Sequence, residues 1–398
     1  PPVPVPDHPI PHPRPFQRGD LRPFPDSSGT WRPTMGWKPR RRSGHHALGA
    51  LAAAGIVLAA TACSTPQAGD DGGDGGSEGP FTIGVSNGFI GSEWREQMLS
   101  VLEDSFTDYK SEEVVDELVV ESADVDVNGQ IQQIRNLIRS DVDAIIVNPN
   151  SPTALDQVFA EAADQGIEIV AIDQAVESEH VTNVVIDQAE WASISAEWLA
   201  GEVGEGGRII AVNGIDGHPA NEARWSGAQE VFDEAGVEVV ANDYAEWDQS
   251  KGQTVTRDLL ASNPDVDGVF VQDGMALGAM QALQSEDLAT EVAITGEARV
   301  GYMKEWNKLR ESDGDFSSIG VPNPPSVSVS ALHVVVRMLQ GEEFAGDALE
   351  NGNTLHLPIP ETVTDENFDE RFAEVEDRPD AYAVDHHITA EEADGYFQ

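Results

Sequence analysis

The sequence predicts an α/β protein of two Rossmann-like lobes, each a parallel sheet with helices on both sides, joined by a hinge and enclosing a ligand cleft. Three observations carry that expectation. From Phe81 onward, short β-rich runs alternate with amphipathic helical periods, and such alternation marks a parallel sheet covered on both faces. The later part of this region repeats the pattern of the earlier part. Polar and aromatic residues gather where the apolar runs end, and open α/β sheets bind ligands beyond the carboxyl ends of their strands.

The first eighty residues stand apart from this pattern. Residues 1–34 are rich in proline and have no hydrophobic period, so they are expected to be disordered. The natural start is expected at Met35, with residues 1–34 outside the natural protein. From there "MGWKPRRRSGHHALGALAAAGIVLAATAC" sets Lys38, Arg40, Arg41 and Arg42 before an apolar run from Ala47 to Ala60. Basic, apolar and small residues in that order read as a secretory signal over 35–62. Its ending, "LAATAC", resembles a bacterial lipobox, with Ala60 where leucine is commoner. The resemblance implies that Cys63 is acylated and becomes the mature N-terminus. An ordinary secretory signal and an uncleaved anchor are the alternatives. Residues 63–80, "CSTPQAGDDGGDGGSEGP", are too rich in glycine and aspartate to fold and read as a tether to a membrane surface. Two or three acyl chains anchor a protein stably where one is marginal. Cys63 is the sole cysteine, which excludes an internal disulfide and a cysteine-based zinc site.

The runs "FTIGVS", "ELVVE", "DAIIVN", "IEIVAI" and "VTNVVI" predict the strands of the first lobe. Between them "NGQIQQIRNLIRS" predicts a helix over 128–140, with Ile131, Ile134, Leu137 and Ile138 on one apolar face. The strands resume with "RIIAVN", "VEVVAN", "DGVFVQ" and "EVAITG". Residues 129–155 ("GQIQQIRNLIRSDVDAIIVNPNSPTAL") and 252–277 ("GQTVTRDLLASNPDVDGVFVQDGMAL") share one order of features. Each runs Gly-Gln, amphipathic helix, Asp-Val-Asp, apolar strand, polar turn, Ala-Leu. Duplication of one α/β unit accounts for this better than chance.

The strand ends hold a recurring chemistry. They offer Asp173 and Gln174 in "VAIDQA", Asn213 and Arg224 in "NGIDGHPANEARWSG", Trp247 and Asp248 in "AEWDQSKG", Gln272 and Asp273 in "VFVQDG", and Glu297 and Arg299 in "ITGEARVG". The first loop, "SNGFIGSEW", adds Asn87, Phe89, Ser92, Glu93 and Trp94. A sugar hydroxyl is donor and acceptor at once, so planar Asp, Asn, Gln and Arg groups pair with it in forks. The C–H face of the ring lies against an aromatic. The alternatives are that Trp94 and Trp247 are packing residues, Asp173 a turn or helix cap, and Arg224 a structural ion-pair partner. Asp187 in "VVIDQAEW" is read as the helix cap at the lobe crossover.

Taken together, "LIRSDVDAIIVNP", "GIEIVAIDQ", "NGIDG…ARWSG", "AEWDQSKGQ" and "PDVDGVFVQDGMALGAMQAL" resemble the ribose-binding type of solute-binding protein, the sugar receptors of ATP-binding-cassette importers. The resemblance runs from about Phe81 to Gly341. It implies lobes of 81–186 with 322–350 and of 187–321 with 351–398, closing on one sugar. It also implies ligand contacts from Asp173, Arg224, Trp247 and Gln272; the strand-end and first-loop reading adds Gln174, Asn213, Trp94 and Glu297 as expected contacts. Gln174 stands where the family usually has arginine, "FIGSEW" replaces its Asn-Pro-Phe-Phe loop, and "GEARVG" replaces a Phe-Asp pair. These departures point to a small monosaccharide or polyol rather than to ribose in particular. The implied protein is a monomer on the outer face of the cell membrane that delivers its ligand to permease subunits. A receptor feeding a membrane sensor is the alternative.

Composition excludes other classes. The chain carries 71 Asp+Glu against 23 Lys+Arg, a formal net charge of −48. That charge repels phosphate backbones, so no nucleic-acid partner is expected. Its few lysines (Lys38, Lys110, Lys251, Lys304 and Lys308) leave an acidic surface suited to high salt, where self-repulsion is screened. No G-x-S-x-G, P-loop or zincin pattern occurs, and "DHH" at 385–387 sits in the acidic tail. Neither enzymatic activity, nor a cofactor, nor a metal is expected. A repressor of this fold would need a helix-turn-helix before Phe81, where the signal and tether stand.

Overall fold

The computed structural model describes residues 79–398 apart from 313 and 315. The signal, Cys63 and the tether up to residue 78 lie outside the described residues. The first sheet contains β1 (Phe81–Asn87), β2 (Val115–Ser122), β3 (Ala144–Asn148), β4 (Glu168–Ile172) and β5 (Thr182–Ile186) in the order β2-β1-β3-β4-β5. The second contains β6 (Arg208–Asn213), β7 (Glu238–Tyr244), β8 (Gly268–Val271), β9 (Ala293–Glu297) and β10 (Ile319–Val321) in the order β7-β6-β8-β9-β10. The two orders are the same, as duplication requires, and every paired strand in both runs parallel. The central strands β3 and β8 are buried along their whole length, which is why they read as unbroken apolar runs.

Helices α1 (Glu93–Ser111), α2 (Val127–Arg139) and α3 (Asp156–Ala163) belong to the first lobe. In α2, Ile134, Leu137 and Ile138 are buried and Ile131 half-buried, as the helical period requires. Helices α4 (Gln188–Val203), α5 (Pro219–Ala235), α6 (Gln249–Ser262), α7 (Ala276–Ser285) and α8 (Val300–Ser312) belong to the second. Asp187 caps α4 by accepting from the Ala189 and Glu190 N–H groups at the point where the chain changes lobes. The chain then returns through Pro322 and Asn323 to α9 (Val327–Leu339), which packs on α1 and β4. Two indoles fasten this return: Trp191 Nε1 donates to Pro322 O at 3.0 Å and Trp94 Nε1 to Asn323 O at 2.8 Å.

The tail departs from the sequence expectation, which gave 351–398 to the second lobe. Residues Thr354–Leu357 form β11, parallel to β5 at the edge of the first sheet. Leu355 and Leu357 are buried there and complete the core beside β5. The chain next crosses to the second lobe, where Val363 and Gly320 exchange backbone hydrogen bonds and α10 (Phe368–Val375) sets Phe368 against Trp306 at 4.6 Å. It then crosses back. Gln97 of α1 makes two hydrogen bonds with the Ala383 backbone, each 3.0 Å, and Asp385 accepts from Ser326 Oγ at 2.6 Å. The last helix, α11 (Ala390–Asp394), and Phe397 end on the first lobe, held by Arg337 to Asp394 at 2.6 Å and by Phe344 stacked on Phe397 at 4.4 Å. Four-residue β11 and three-residue β10 are too short for a periodic signal. Among the described residues no helix is long and apolar enough to cross a membrane, and no cluster of His, Cys, Asp and Glu could hold a metal ion.

Candidate functional site

The carboxyl ends of both sheets face one cleft of about 820 Å³, lined by residues of both lobes and by Asn323 of the hinge. Its floor is a chain of charge-assisted hydrogen bonds. Arg224 Nη1 donates to Asp273 Oδ2 at 3.0 Å, Arg299 Nη2 to Asp273 Oδ1 at 2.7 Å, and Arg299 Nε to Glu297 Oε2 at 2.5 Å. Asn323 Nδ2 lies 3.4 Å from Asp273 Oδ2. Across the cleft, Arg95 Nη1 donates to Asn87 Oδ1 at 2.8 Å, and its Nη2 stands 3.8 Å from Asp173 Oδ2. Three guanidiniums (Arg95, Arg224 and Arg299) thus face three carboxyl groups (Asp173, Asp273 and Glu297).

Burial and neighbouring charge set the protonation of these groups. Burial pushes the Asp273 carboxyl up, but Arg299 and Arg224 outweigh it and hold the group well below the usual carboxylate range. Burial pushes Glu297 up to about 8 against the pull of Arg299, with Asp273 adding to the rise. Asp173 is raised by burial, with Arg95 and Arg224 opposing. His218 is lowered to about 4 by burial and by Arg95 and Arg224, so it is neutral near pH 7. Its Nδ1 accepts the Ala220 N–H at 3.3 Å, which leaves the ring hydrogen on Nε2. Two polar atoms on cleft residues have no hydrogen-bond partner: Trp247 Nε1, a donor, and Glu297 Oε1.

Backbone conformation aims several of these side chains. Asp173 (φ 69°), Asp273 (φ 55°), Glu246 (φ 54°) and Trp247 (φ 55°) all occupy the left-handed region and all line the cleft. Residues other than glycine are uncommon there, and such strain concentrates at functional sites. Gly214 lies flat beneath the Trp247 indole, where a Cβ would come within 2.2 Å of the ring.

Of the residues expected from sequence, Asp173, Arg224, Trp247, Trp94 and Glu297 line the cleft. Trp94 does so as a wall: it is 5% exposed and its N–H is committed to Asn323, so it presents no free stacking face. The exposed aromatic of that loop is Phe89. Gln174, Asn213 and Gln272 correct the expectation, because all three are buried away from the cleft. The left-handed turn at Asp173 sends Gln174 backward, where Nε2 donates to Pro149 O at 2.7 Å. The same turn at Asp273 keeps Gln272 behind the sheet end, bonded to Asn213 Oδ1 at 3.1 Å. Asp273 and Arg299 stand at strand ends in the sequence and lie outside the ligand contacts expected from it. Arg95 and His218 were missed altogether. Their sequence signals are slight: Arg95 is an arginine in the first turn of a helix after a strand, and His218 precedes the proline that opens α5.

A family model described as a periplasmic binding protein domain matches residues 83–343. The chain is 31% identical over 310 residues to the xylitol-binding protein of Mycolicibacterium smegmatis, covering 75% of this chain and 82% of that protein. It is 32% identical over 170 residues to the ribose import binding protein of Bacillus subtilis, covering 42% of this chain and 55% of that protein. The latter match thus spans little more than half of the relative. Among solved structures, an ABC transporter solute binding protein from Thermobispora bispora superposes with a TM-score of 0.68 at 24% identity, covering 79% of this chain and 94% of that one. One from Bacillus halodurans with bound myo-inositol gives 0.62 at 24% identity, covering 76% and 100%. These two structures speak to the two-lobed fold.

Proposed function

The chain belongs to the periplasmic binding protein domain family, and from that premise we propose that it captures one small uncharged monosaccharide or polyol between its lobes for an ATP-binding-cassette importer. The observation that carries this reading is the cleft between the carboxyl ends of the two sheets, where Asp173, Arg224 and Trp247 line one space together. Hydroxyl groups add donors and acceptors beside the buried Arg224–Asp273 and Arg299–Asp273 pairs without adding charge, whereas a charged ligand would bring an uncompensated charge there. Asp173 and Arg224 fork onto hydroxyls, and the Trp247 ring covers a C–H face. The relatives named for xylitol and ribose bound the chemistry to polyols and small sugars. Isothermal titration of the full chain with xylitol, D-ribose, D-allose and myo-inositol tests this. Micromolar binding of at least one supports the reading; binding of sugar acids or amino acids in their place overturns it.

The location follows from the amino-terminal region. The protein works as a monomer on the outer face of the membrane, held by lipid on Cys63 and spaced from it by the acidic tether. The order of basic, apolar and small residues before the cysteine supports this. Mass spectrometry of membrane-extracted protein should find an acylated N-terminal Cys63. A Cys63→Ser protein that stays firmly membrane-bound would count against it, and light scattering of a dimer would count against the monomer.

A further inference from the structure

Gln188 opens α4 at the first lobe crossing, and both ends of its amide are in use. Nε2 donates to the Asp173 carbonyl at 3.0 Å, and Oε1 accepts from Arg224 Nε at 2.7 Å. The residue is 8% exposed and lies outside the cleft lining. Arg224 is held from two further directions, by Asp273 at Nη1 and by the Trp191 ring 4.4 Å from its guanidinium carbon. One N–H on Nε and one on Nη1 are thereby committed, and a guanidinium has five. Among the described residues the other three have no hydrogen-bond partner, and Arg224 lines the cleft.

We propose that Gln188 is a positioning residue for ligand capture. One amide fixes the plane of Arg224 in the second lobe and ties it to the strand-end peptide that carries Asp173 in the first. This rests on the reading of the cleft as a polyol site. The chemistry selects an amide. A carboxylate here would accept from Arg224 but face the Asp173 carbonyl with like charge. A lysine would donate to that carbonyl but repel Arg224. Asparagine is one methylene short of spanning both. The amide sits on a rigid element, because the Asp187 cap fixes the first turn of α4.

The test uses Gln188→Met, which has similar length and neither polar end, and Gln188→Glu, which keeps only the acceptor. In full-length protein labelled at arginine nitrogen, the Arg224 Nε–H signal is assigned by its loss in Arg224→Lys. Its exchange with water should be slow in the wild type and in Gln188→Glu, and at least tenfold faster in Gln188→Met. Titration with xylitol and myo-inositol should show Gln188→Met binding roughly tenfold to a hundredfold more weakly, the range for a lost hydrogen bond to a charged group. Unchanged exchange or unchanged affinity in a folded Gln188→Met protein overturns the proposal. If that variant does not fold, loss of the protected signal in Gln188→Glu overturns it instead. Should the wild type bind neither probe, the polyol reading falls, and the exchange measurement still decides whether Gln188 holds Arg224.

Discussion

Arg224 donates to Asp273 across 3.0 Å in a setting where only 2% of the arginine side chain meets solvent. Arg299 takes the other oxygen of the same carboxylate at 2.7 Å. Asp273 is therefore the hub of the cleft floor: removing it leaves Arg224 with no ionic partner and Arg299 with Glu297 alone, whereas removing Arg224 leaves Asp273 paired with Arg299. Breaking a buried pair by deleting one partner costs about 3–5 kcal/mol, because the survivor stays buried and uncompensated. Asp273→Ala is expected to unfold at a clearly lower urea concentration than Arg224→Ala. Equal midpoints would show that Arg299 and Arg224 find new partners.

Glu297 makes stability depend on pH. The folded protein keeps its proton to about 8, whereas the ordinary value is 4.5. Between those two values the folded state binds one more proton than the unfolded state, so stability falls as pH rises through the window and levels off above it. Glu297→Gln lacks this term. Its stability relative to wild type should climb from pH 4.5 to 8, as read from denaturation midpoints. A variant that declines in parallel with wild type would falsify the assignment.

Trp247 links affinity to a glycine that touches no ligand. Trp247→Ala should weaken binding roughly tenfold through lost stacking and burial. Gly214→Ala should do the same, because its Cβ would displace the indole from 2.2 Å. Wild-type fluorescence should shift when ligand covers Trp247. Titration of both variants, with thermal melts to confirm folding, settles the matter. Wild-type affinity in Gly214→Ala would mean that the ring does not hold the ligand.

Much of the architecture was legible because parallel strands leave a strong trace. β3 and β8 are buried end to end, and α2 buries a single face. The site was legible only to the nearest residue. Reading along a strand gives which residues stand at its end, but a left-handed φ at the last position decides which of two neighbours turns into the cleft. Hence Asp173 and Asp273 line it while Gln174 and Gln272 do not. No local pattern announces a left-handed aspartate. Gln174→Ala is accordingly expected to leave ligand affinity within twofold of wild type and to lower the melting temperature through the loss of its bond to Pro149. A large loss of affinity would put Gln174 back into the site.

The net charge of −48 gives a prediction that needs no site. Crowded carboxylates repel, and the Debye length falls to roughly 3 Å at 1 M salt. The melting temperature should rise with sodium chloride beyond 1 M. A flat or falling response would show that the acidic surface is not an adaptation to salt.

The returning tail determines when the molecule can be complete. Asn183 pairs with Thr354 in the first sheet, and Phe344 of the same lobe stacks on Phe397. The lobe that is synthesised first is therefore completed only after every strand of the second sheet has been made, since its edge strand and outer cover come from residues beyond β10. Contacts so distant in sequence carry a loop-closure cost that local contacts do not, and they slow folding. A nascent chain stopped before Thr354 would carry every strand of the second sheet and leave the first still open along β5.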